Sequence, residues 1–123
     1  MNTYQKKVLI VDDSVVIRKA IEKFLSEYQV EVIGKASNGA MALEMFREFK
    51  PDIVTLDITM PGLDGFQTLK EMVRIDKSSK IIVITALSDK ATGLKALKYG
   101  AKSYLTKPFG PEKFQEALSR LID

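Results

Sequence analysis

Short apolar runs rich in Val and Ile recur along the chain and alternate with longer amphipathic stretches. The runs occupy residues 8–11, 30–33, 53–56, 81–84 and, more weakly, 103–105. Runs of this length are typical of β-strands. After each run, apolar residues return wholly or partly at the i, i+3, i+4, i+7 spacing of a helix, as in Ile17, Ala20, Ile21 and Phe24. The pattern therefore predicts five strands, each followed by a helix.

Strict strand–helix alternation predicts an α/β fold, in which a parallel sheet carries helices on both faces. The runs at 8–11, 53–56 and 81–84 are apolar almost throughout, so we expect them to be interior strands. The segment 30–32 (VEV) alternates and suits an edge strand. A strand spacing near 25 residues could also indicate a leucine-rich solenoid, but the chain lacks an LxxLxLxxN repeat.

Local signals mark several helix ends. Asn38 and Asp64 are expected to be N-caps, and Gln67 stands three residues after Asp64 in a capping-box relation. Pro111 suits the first position of the last helix. Gly100 is expected to close the fourth helix in a left-handed conformation.

Composition excludes several classes of function. The chain has no Cys and no His, which rules out zinc, iron–sulfur and haem sites built on those side chains, and Ser–His–Asp catalysis. The formal net charge of +3 is mild. It falls short of the dense basic footprint of proteins that bind nucleic acid.

The length of 123 residues is that of one domain, and it suffices to bury a core without a metal or disulfide. The apolar runs are far too short to span a bilayer. The N-terminus lacks the longer apolar stretch and cleavage site of a signal peptide. We therefore expect a cytoplasmic protein without membrane insertion, in which residues 1–123 form a single domain.

After four of the five apolar runs comes a side chain suited to chemistry. Asp12 and Asp13 follow the first run, Asp57 the third, Thr85 the fourth and Lys107 the fifth. Ligands of open parallel sheets bind beyond the carboxyl ends of the strands. We therefore expect three carboxylates, a hydroxyl and an ammonium group to converge on one crevice.

Three clustered carboxylates repel one another, and Lys107 alone compensates only in part. A hard divalent cation such as Mg²⁺ resolves this, because it binds carboxylates, water and phosphate oxygens and needs neither His nor Cys. A carboxylate beside such a cation can attack a phosphoryl group and form an aspartyl phosphate. Lys107 and the Thr85 hydroxyl would then meet the charge on the transferred group.

Each of these residues also has a simpler explanation. Asp12 or Asp13 could only cap the following helix, Thr85 could be an ordinary strand residue, and Lys107 a solvated charge. Asp57 is harder to explain, because a carboxylate directly after a buried strand needs a compensating partner. Together the simpler explanations require a coincidence at every strand end.

Four segments carry a resemblance to a known family. They are residues 8–14 (VLIVDDS), 57–65 (DITMPGLDG), 85–86 (TA) and 107–109 (KPF). In order and spacing they resemble the receiver domain of two-component response regulators, over essentially the whole chain. The resemblance is to the stand-alone, CheY-like subclass without an output domain. It implies a doubly wound, flavodoxin-like (βα)5 fold with five parallel strands in the order 2-1-3-4-5.

The resemblance also implies roles for the crevice residues. Asp57 would be the phospho-acceptor. Asp13, Asp57 and the backbone carbonyl of Thr59 would bind Mg²⁺ directly, and Asp12 would act largely through a metal-bound water. Lys107 would contact the phosphoryl group.

A second set of implied roles concerns the conformational switch. Thr85 would move toward the phosphoryl group, and Tyr104 would turn inward, which changes the surface of the fourth helix, fifth strand and fifth helix. Ala86 would be the small residue that leaves the phosphoryl group accessible. The family usually has a cis peptide before the Pro that is Pro108 here.

The positions two residues past the acceptor and the switch Thr tune self-dephosphorylation in this family. Here they are Thr59 and Leu87. Leu87 is apolar and cannot orient an attacking water by hydrogen bonding. We therefore expect slower hydrolysis than in a relative with Glu, Asn or Gln at that position.

The function implied is that of a signalling switch rather than an enzyme acting on a free metabolite. Its phosphodonor would be a sensor histidine kinase, and its target the flagellar motor switch in chemotaxis. A phosphorelay intermediate that passes the phosphoryl group to a histidine phosphotransfer protein is the alternative. Lys95, Lys98 and Lys102 lie near the output surface and would suit an acidic partner. The protein would be a monomer or a weak dimer.

Other functions fit less well. A Mg²⁺-dependent aspartyl-phosphate phosphatase of the haloacid dehalogenase kind would carry Asp-x-Asp-x-Thr after the first strand, whereas Asp57 follows the third and Thr59 replaces the general acid. A flavodoxin would need a hydroxyl- and Gly-rich loop where residues 12–14 (DDS) would repel the flavin phosphate. A P-loop nucleotide-binding protein is disfavoured because GxxxxGK[ST] is absent.

Overall fold

Five parallel strands alternate with five helices along the described part of the chain. The computed structural model describes residues 5–60, 64–86 and 90–122. The strands are β1 (Lys6–Val11), β2 (Val30–Ala36), β3 (Ile53–Asp57), β4 (Lys80–Thr85) and β5 (Ser103–Thr106). The helices are α1 (Val15–Leu25), α2 (Gly39–Phe49), α3 (Gly65–Ile75), α4 (Lys90–Lys98) and α5 (Pro111–Ile122).

The strands form a single sheet in the order β2-β1-β3-β4-β5. This order confirms the predicted doubly wound (βα)5 fold and places β1, β3 and β4 in the interior. The edge strand β2 continues three residues past the predicted run. Val8 pairs with Val32 but Leu9 pairs with Gly34, so Ile33 is an extra residue in a bulge. Pairing then resumes through Ala36, opposite Val11.

The two faces of the sheet carry separate cores, because successive strand residues point to opposite sides. One face packs under α2, α3 and α4; its buried apolar strand residues are Leu9, Val11, Ala36, Val54, Leu56, Ile81 and Val83. The other packs under α1 and α5; its buried strand residues are Val8, Ile10, Ile53, Ile82, Ile84 and Leu105. With both faces covered, the interior strands must be apolar, as the sequence pattern indicates.

Capping side chains confirm the predicted helix ends. Asn38 and Asp64 accept hydrogen bonds from the backbone N–H groups of Met41 and Gln67. Gly100 has a φ of 114°, in the left-handed region. Its N–H donates to Leu97, and that of Ala101 donates to Ala96, the paired bonds that close a helix through a left-handed residue.

Among the described residues, no helix is both long and apolar enough to cross a membrane. The longest is α5, with 12 residues. About 20 predominantly apolar residues are needed for a helical span.

Thr55 is the one polar residue inside the buried β3 run before Asp57, and it offers a test of the core. Its side chain is fully buried and its hydroxyl lacks a hydrogen-bond partner. Because an unpaired buried hydroxyl opposes folding, Thr55→Val should raise the free energy of unfolding by about 1 kcal/mol in a urea titration. Ser103→Ala is the control, because the Ser103 hydroxyl donates to Ala117 and its removal should destabilise. A lower urea midpoint for Thr55→Val would contradict this account.

Candidate functional site

The carboxyl ends of the strands bring the predicted polar residues together at one edge of the sheet. Asp12 directly follows β1, Asp57 ends β3, Thr85 ends β4 and Lys107 directly follows β5. The Lys107 Nζ lies 3.0 Å from Asp12 Oδ2 and 3.0 Å from Asp57 Oδ2. One oxygen each from Asp12, Asp13 and Asp57 lies within 4.8 Å of the others. The expected convergence is therefore present for the three carboxylates and the ammonium group, and Thr85 ends its strand at the same edge of the sheet.

Asp57 is held by three groups. Its side chain is almost fully buried, and Lys107 donates to its Oδ2. Its Oδ1 accepts from the backbone N–H of Thr59 at 2.8 Å and from the Thr59 hydroxyl at 2.7 Å. The Thr59 hydroxyl in turn accepts from the backbone N–H of Ala86 at 3.4 Å. Thr59 therefore links the Asp57 carboxylate to the end of β4.

Asp12 is fully buried, and residues at the start of α1, the helix that follows it, hold it in place. Its Oδ1 accepts from the backbone N–H of Ser14 at 2.9 Å, and the Arg18 guanidinium donates to its backbone carbonyl. The N-cap of α1 is Ser14, whose hydroxyl accepts from Ile17. Asp12 and Asp13 are therefore not the caps of this helix, which removes the simpler explanation for the pair.

Burial and the contact between Lys107 and the carboxylates have opposite effects on the pKa values of Asp12 and Lys107. Burial raises the pKa of Asp12, and repulsion from Asp57 adds to the rise, while the Ser14 N–H and Lys107 oppose it. Burial by itself lowers the pKa of Lys107, but its contacts with Asp57 and Asp12 outweigh burial and raise that pKa overall. Lys107 therefore remains a cation at neutral pH, and it faces two carboxylates.

The donor set fits a hard divalent cation. All candidate ligands are oxygens, and the exposed Asp13 lies at the open side of the buried Asp12 and Asp57. Asp12 Oδ2 is buried without a hydrogen-bond donor, and its contact with Lys107 is an ion pair outside hydrogen-bond geometry. A buried carboxylate oxygen that accepts no hydrogen bond can bind a metal ion or a metal-bound water.

The remaining predicted residues that the structure describes lie on or just after β4 and β5. The Thr85 side chain is buried, and its backbone carbonyl accepts from the Lys107 N–H at 2.8 Å. Ala86 is exposed, and Tyr104 is half-buried on β5. The peptide before Pro108 is cis, as the resemblance implied. Leu87 lies outside the described residues.

Two contacts at the site were not foreseen from the sequence. Thr59 was expected to act through its backbone carbonyl, yet its hydroxyl binds Asp57. A Thr two residues after an Asp is a known local turn pattern that could have indicated this bond. Arg18 binds the Asp12 carbonyl from within α1, and only its position on the helix face hints at that.

A groove lies beside the edge strand β5. The groove, of about 360 Å³, lies between β5 and α5 and includes Lys113, Glu116 and Arg120 in its lining. Of the three lysines expected on the output surface, Lys95 lies with its Nζ 4.4 Å from the centroid of the Phe66 ring on α3. Lys98 and Lys102 are exposed.

The raised pKa of Asp12 leads to a stability prediction. A carboxyl whose pKa is higher in the folded than in the unfolded protein favours folding when neutral, and this advantage is lost as the pH rises through the folded pKa. Asp12→Asn should therefore stabilise the metal-free protein at pH 7 by about 1 kcal/mol, with Lys107 still paired to Asp57. Urea unfolding in EDTA measures this.

The same variant tests the metal site. Mg²⁺ should raise the urea midpoint of the wild type, because a ligand that binds only the folded state stabilises it. In Asp12→Asn the rise should be much smaller. If Asp12→Asn were less stable than the wild type in EDTA, burial would not be the cost that Asp12 imposes. If Mg²⁺ stabilised the variant as much as the wild type, Asp12 would have no role in binding the metal.

Comparison with known proteins identifies close similarity over nearly the full chain. Residues 8–119 match the family described as response regulator receiver domain. The chain is 44% identical to chemotaxis protein CheY of Thermotoga maritima over 116 residues, covering 94% of this chain and 97% of the relative. It is 38% identical to chemotaxis protein CheY of Bacillus subtilis, covering 95% and 98%. Its fold matches a chain in the crystal structure of the CheX-CheY-BeF3-Mg+2 complex from Borrelia burgdorferi. The TM-score is 0.90 and the identity 32%, and the match covers 96% of this chain and 90% of the other.

Proposed function

Because this chain belongs to the response regulator receiver domain family and is of the CheY type, we propose that it is a phosphorylation-dependent switch in chemotaxis, phosphorylated on Asp57. The observation that carries the proposal is the buried Asp57 carboxylate, held between Lys107 and Thr59 beside two further acids. A sensor histidine kinase is the proposed phosphodonor.

The transfer is a displacement at phosphorus. A carboxylate oxygen of Asp57 forms a bond to phosphorus as the bond from phosphorus to the donor histidine nitrogen breaks, and the imidazole leaves with that electron pair. Lys107, already 3.0 Å from Asp57, stabilises the negative charge on the transferred group. Asp13, Asp57 and the Thr59 carbonyl would hold Mg²⁺, with Asp12 acting largely through a metal-bound water, and the metal would supply charge neutralisation for the phosphoryl oxygens.

The fold supports a route from Asp57 to the output surface. Thr85 pairs with Thr106 and Val83 with Tyr104, so all four residues share one face of the sheet, under α4. A movement of Thr85 toward a phosphoryl group on Asp57 would change the space available to Tyr104. The output surface then comprises α4, β5 and α5, including the exposed Leu94 and Leu97.

The proposed target is the flagellar motor switch, and the support for it is the similarity of this chain to chemotaxis proteins. The most similar relatives compared above are named chemotaxis protein CheY and are matched over nearly their full length. The proposed surface suits an acidic amphipathic partner segment, because Lys113 and Arg120 line the groove and α4 exposes Lys98, Leu94 and Leu97. A phosphatase of the haloacid dehalogenase kind gains no support, because Thr59 is no general acid.

The test uses beryllofluoride, which mimics the phosphoryl group on a carboxylate. The flagellar switch protein encoded in the same genome is titrated against this protein with Mg²⁺, with and without beryllofluoride, by isothermal calorimetry. The proposal predicts tighter binding, by about tenfold or more, with beryllofluoride. Equal affinity in both states would overturn the motor role. Transfer of the phosphoryl group to a histidine phosphotransfer protein from that genome, without binding of the switch protein, would establish the phosphorelay alternative.

The side chain at position 87 leads to a kinetic prediction. Leu87 cannot hydrogen-bond a water, so Leu87→Glu should speed loss of the phosphoryl group, by about tenfold if Glu orients the attacking water. The decay of phosphorylated protein is followed after the phosphodonor is removed. Phe49→Glu is the control, since it adds the same charge at an exposed apolar site at the end of α2, on the opposite edge of the sheet from the crevice. An unchanged decay rate for Leu87→Glu would refute this role.

A further inference from the structure

Gly93 lies in the middle of α4, where the helix itself gives no reason for a glycine. Glycine is about 1 kcal/mol less favourable than alanine in a helix interior. Gly93 is buried, and the left-handed backbone that would require glycine occurs at Gly100 instead. The reason for Gly93 must therefore come from what packs against it.

The missing side chain of Gly93 is replaced by the ring of Tyr104. A Cβ built on Gly93 would lie 2.4 Å from both Cε2 and Cζ of Tyr104 and 2.7 Å from Cδ2. Real Cβ atoms do not approach other atoms so closely. The Tyr104 ring therefore lies in a notch of α4 that exists only because residue 93 is glycine.

The notch joins two elements of the proposed output surface. Gly93 lies on α4 and Tyr104 on β5, and the two elements meet at this point. The position of the Tyr104 ring against α4 therefore depends on the residue at position 93.

We propose that Gly93 is a positioning residue that holds the Tyr104 ring against α4, and that any side chain at position 93 displaces the ring from the notch and thereby alters how it responds to phosphorylation of Asp57. The second half rests on the proposed function; the first half rests on packing alone. Residue 93 therefore sets the starting position of the Tyr104 ring.

The packing half is tested without any phosphoryl group, by a cycle of substitutions. In Tyr104→Ala, Gly93→Ala should raise the urea midpoint, because alanine favours the helix and the notch is empty. In the wild type the same substitution should raise the midpoint less or lower it, because the ring is displaced. Equal changes in the two backgrounds would overturn the inference.

The positional half is tested by fluorine NMR on protein labelled with 3-fluorotyrosine at its four tyrosines. The Tyr104 signal is assigned as the one missing from Tyr104→Phe. Gly93→Ala should shift this signal in the unmodified protein, and the further shift on adding Mg²⁺ and beryllofluoride should differ from that of the wild type. An unmoved signal, or the same beryllofluoride shift in both proteins, would overturn the inference. A shift in Gly93→Ala combined with no response of the wild type to beryllofluoride would support the notch and count against the proposed function instead.

Discussion

An Asp57→Asn variant is expected to take up no phosphoryl group from radiolabelled acetyl phosphate and Mg²⁺, whereas the wild type becomes labelled. The amide has no carboxylate oxygen to form the acyl phosphate, and the neighbouring acids cannot replace it. Asp12 is buried and tied to Ser14 and Lys107, and Asp13 lies at the exposed rim. The loss should therefore be complete rather than partial.

The variant should remain folded, because the amide oxygen at position 57 can still accept from Thr59, and Lys107 keeps its contact with Asp12. Urea unfolding of the variant checks this. Asp64→Asn is the matched control, since it makes the same acid-to-amide change near the crevice while keeping an oxygen to cap α3. Labelling of Asp57→Asn at the wild-type level would show that another residue is the acceptor.

Gly65→Ala is expected to have the largest effect on stability of any single methyl group added to the described part of the protein. A Cβ at Gly65 would lie 2.4 Å from the Cα of Ile58 and 2.5 Å from its carbonyl oxygen. These are backbone atoms directly after Asp57, and they cannot move aside as a side-chain end can. We expect a loss of about 3 kcal/mol or more, measured by urea unfolding.

The same shift of Ile58 should displace Asp57, so any folded Gly65→Ala protein should also be phosphorylated more slowly. Gly110→Ala is the control, because the nearest atom to its added Cβ is a side-chain oxygen of Glu112 at 3.6 Å. Near-wild-type stability of Gly65→Ala would mean that α3 can move away from β3, and that its close approach does not fix the crevice.

Much of the fold was predictable because the sheet is covered on both faces. Interior strands had to be continuous apolar runs, and the helices between them had to be amphipathic, so element type and order followed from the pattern. The end of β2 did not follow. Its bulge at Ile33 and its continuation through Gly34 to Ala36 depend on pairing with β1, which local sequence does not encode.

The candidate site was predictable for a related reason. Parallel strands end at one edge, so the residues after them had to meet, and Asp12, Asp57 and Lys107 lie in contact as expected. Their roles as acceptor, metal ligands and phosphoryl contact stay predictions. The Thr59 hydroxyl bond and the Arg18 contact were missed, because each depends on a side-chain rotamer rather than on topology.

The glycines show where sequence reasoning stopped. Gly65 follows the expected N-cap Asp64, and nothing local indicated that α3 approaches the backbone of Ile58. Gly93 was not predicted to have a role, because a lone glycine in a helical pattern has many explanations. Both glycines owe their role to a neighbour that is distant in sequence, so only the packed structure reveals it.

The central claim is that the acidic crevice is a Mg²⁺-dependent phosphoryl acceptor. Intact-protein mass spectrometry after incubation with acetyl phosphate tests it most directly, with parallel samples in Mg²⁺ and in EDTA. We predict a single phosphoryl adduct that forms with Mg²⁺ and is absent with EDTA. Beryllofluoride binding on the same sample guards against an adduct lost by rapid hydrolysis. An unmodified mass together with no binding of beryllofluoride would contradict the account.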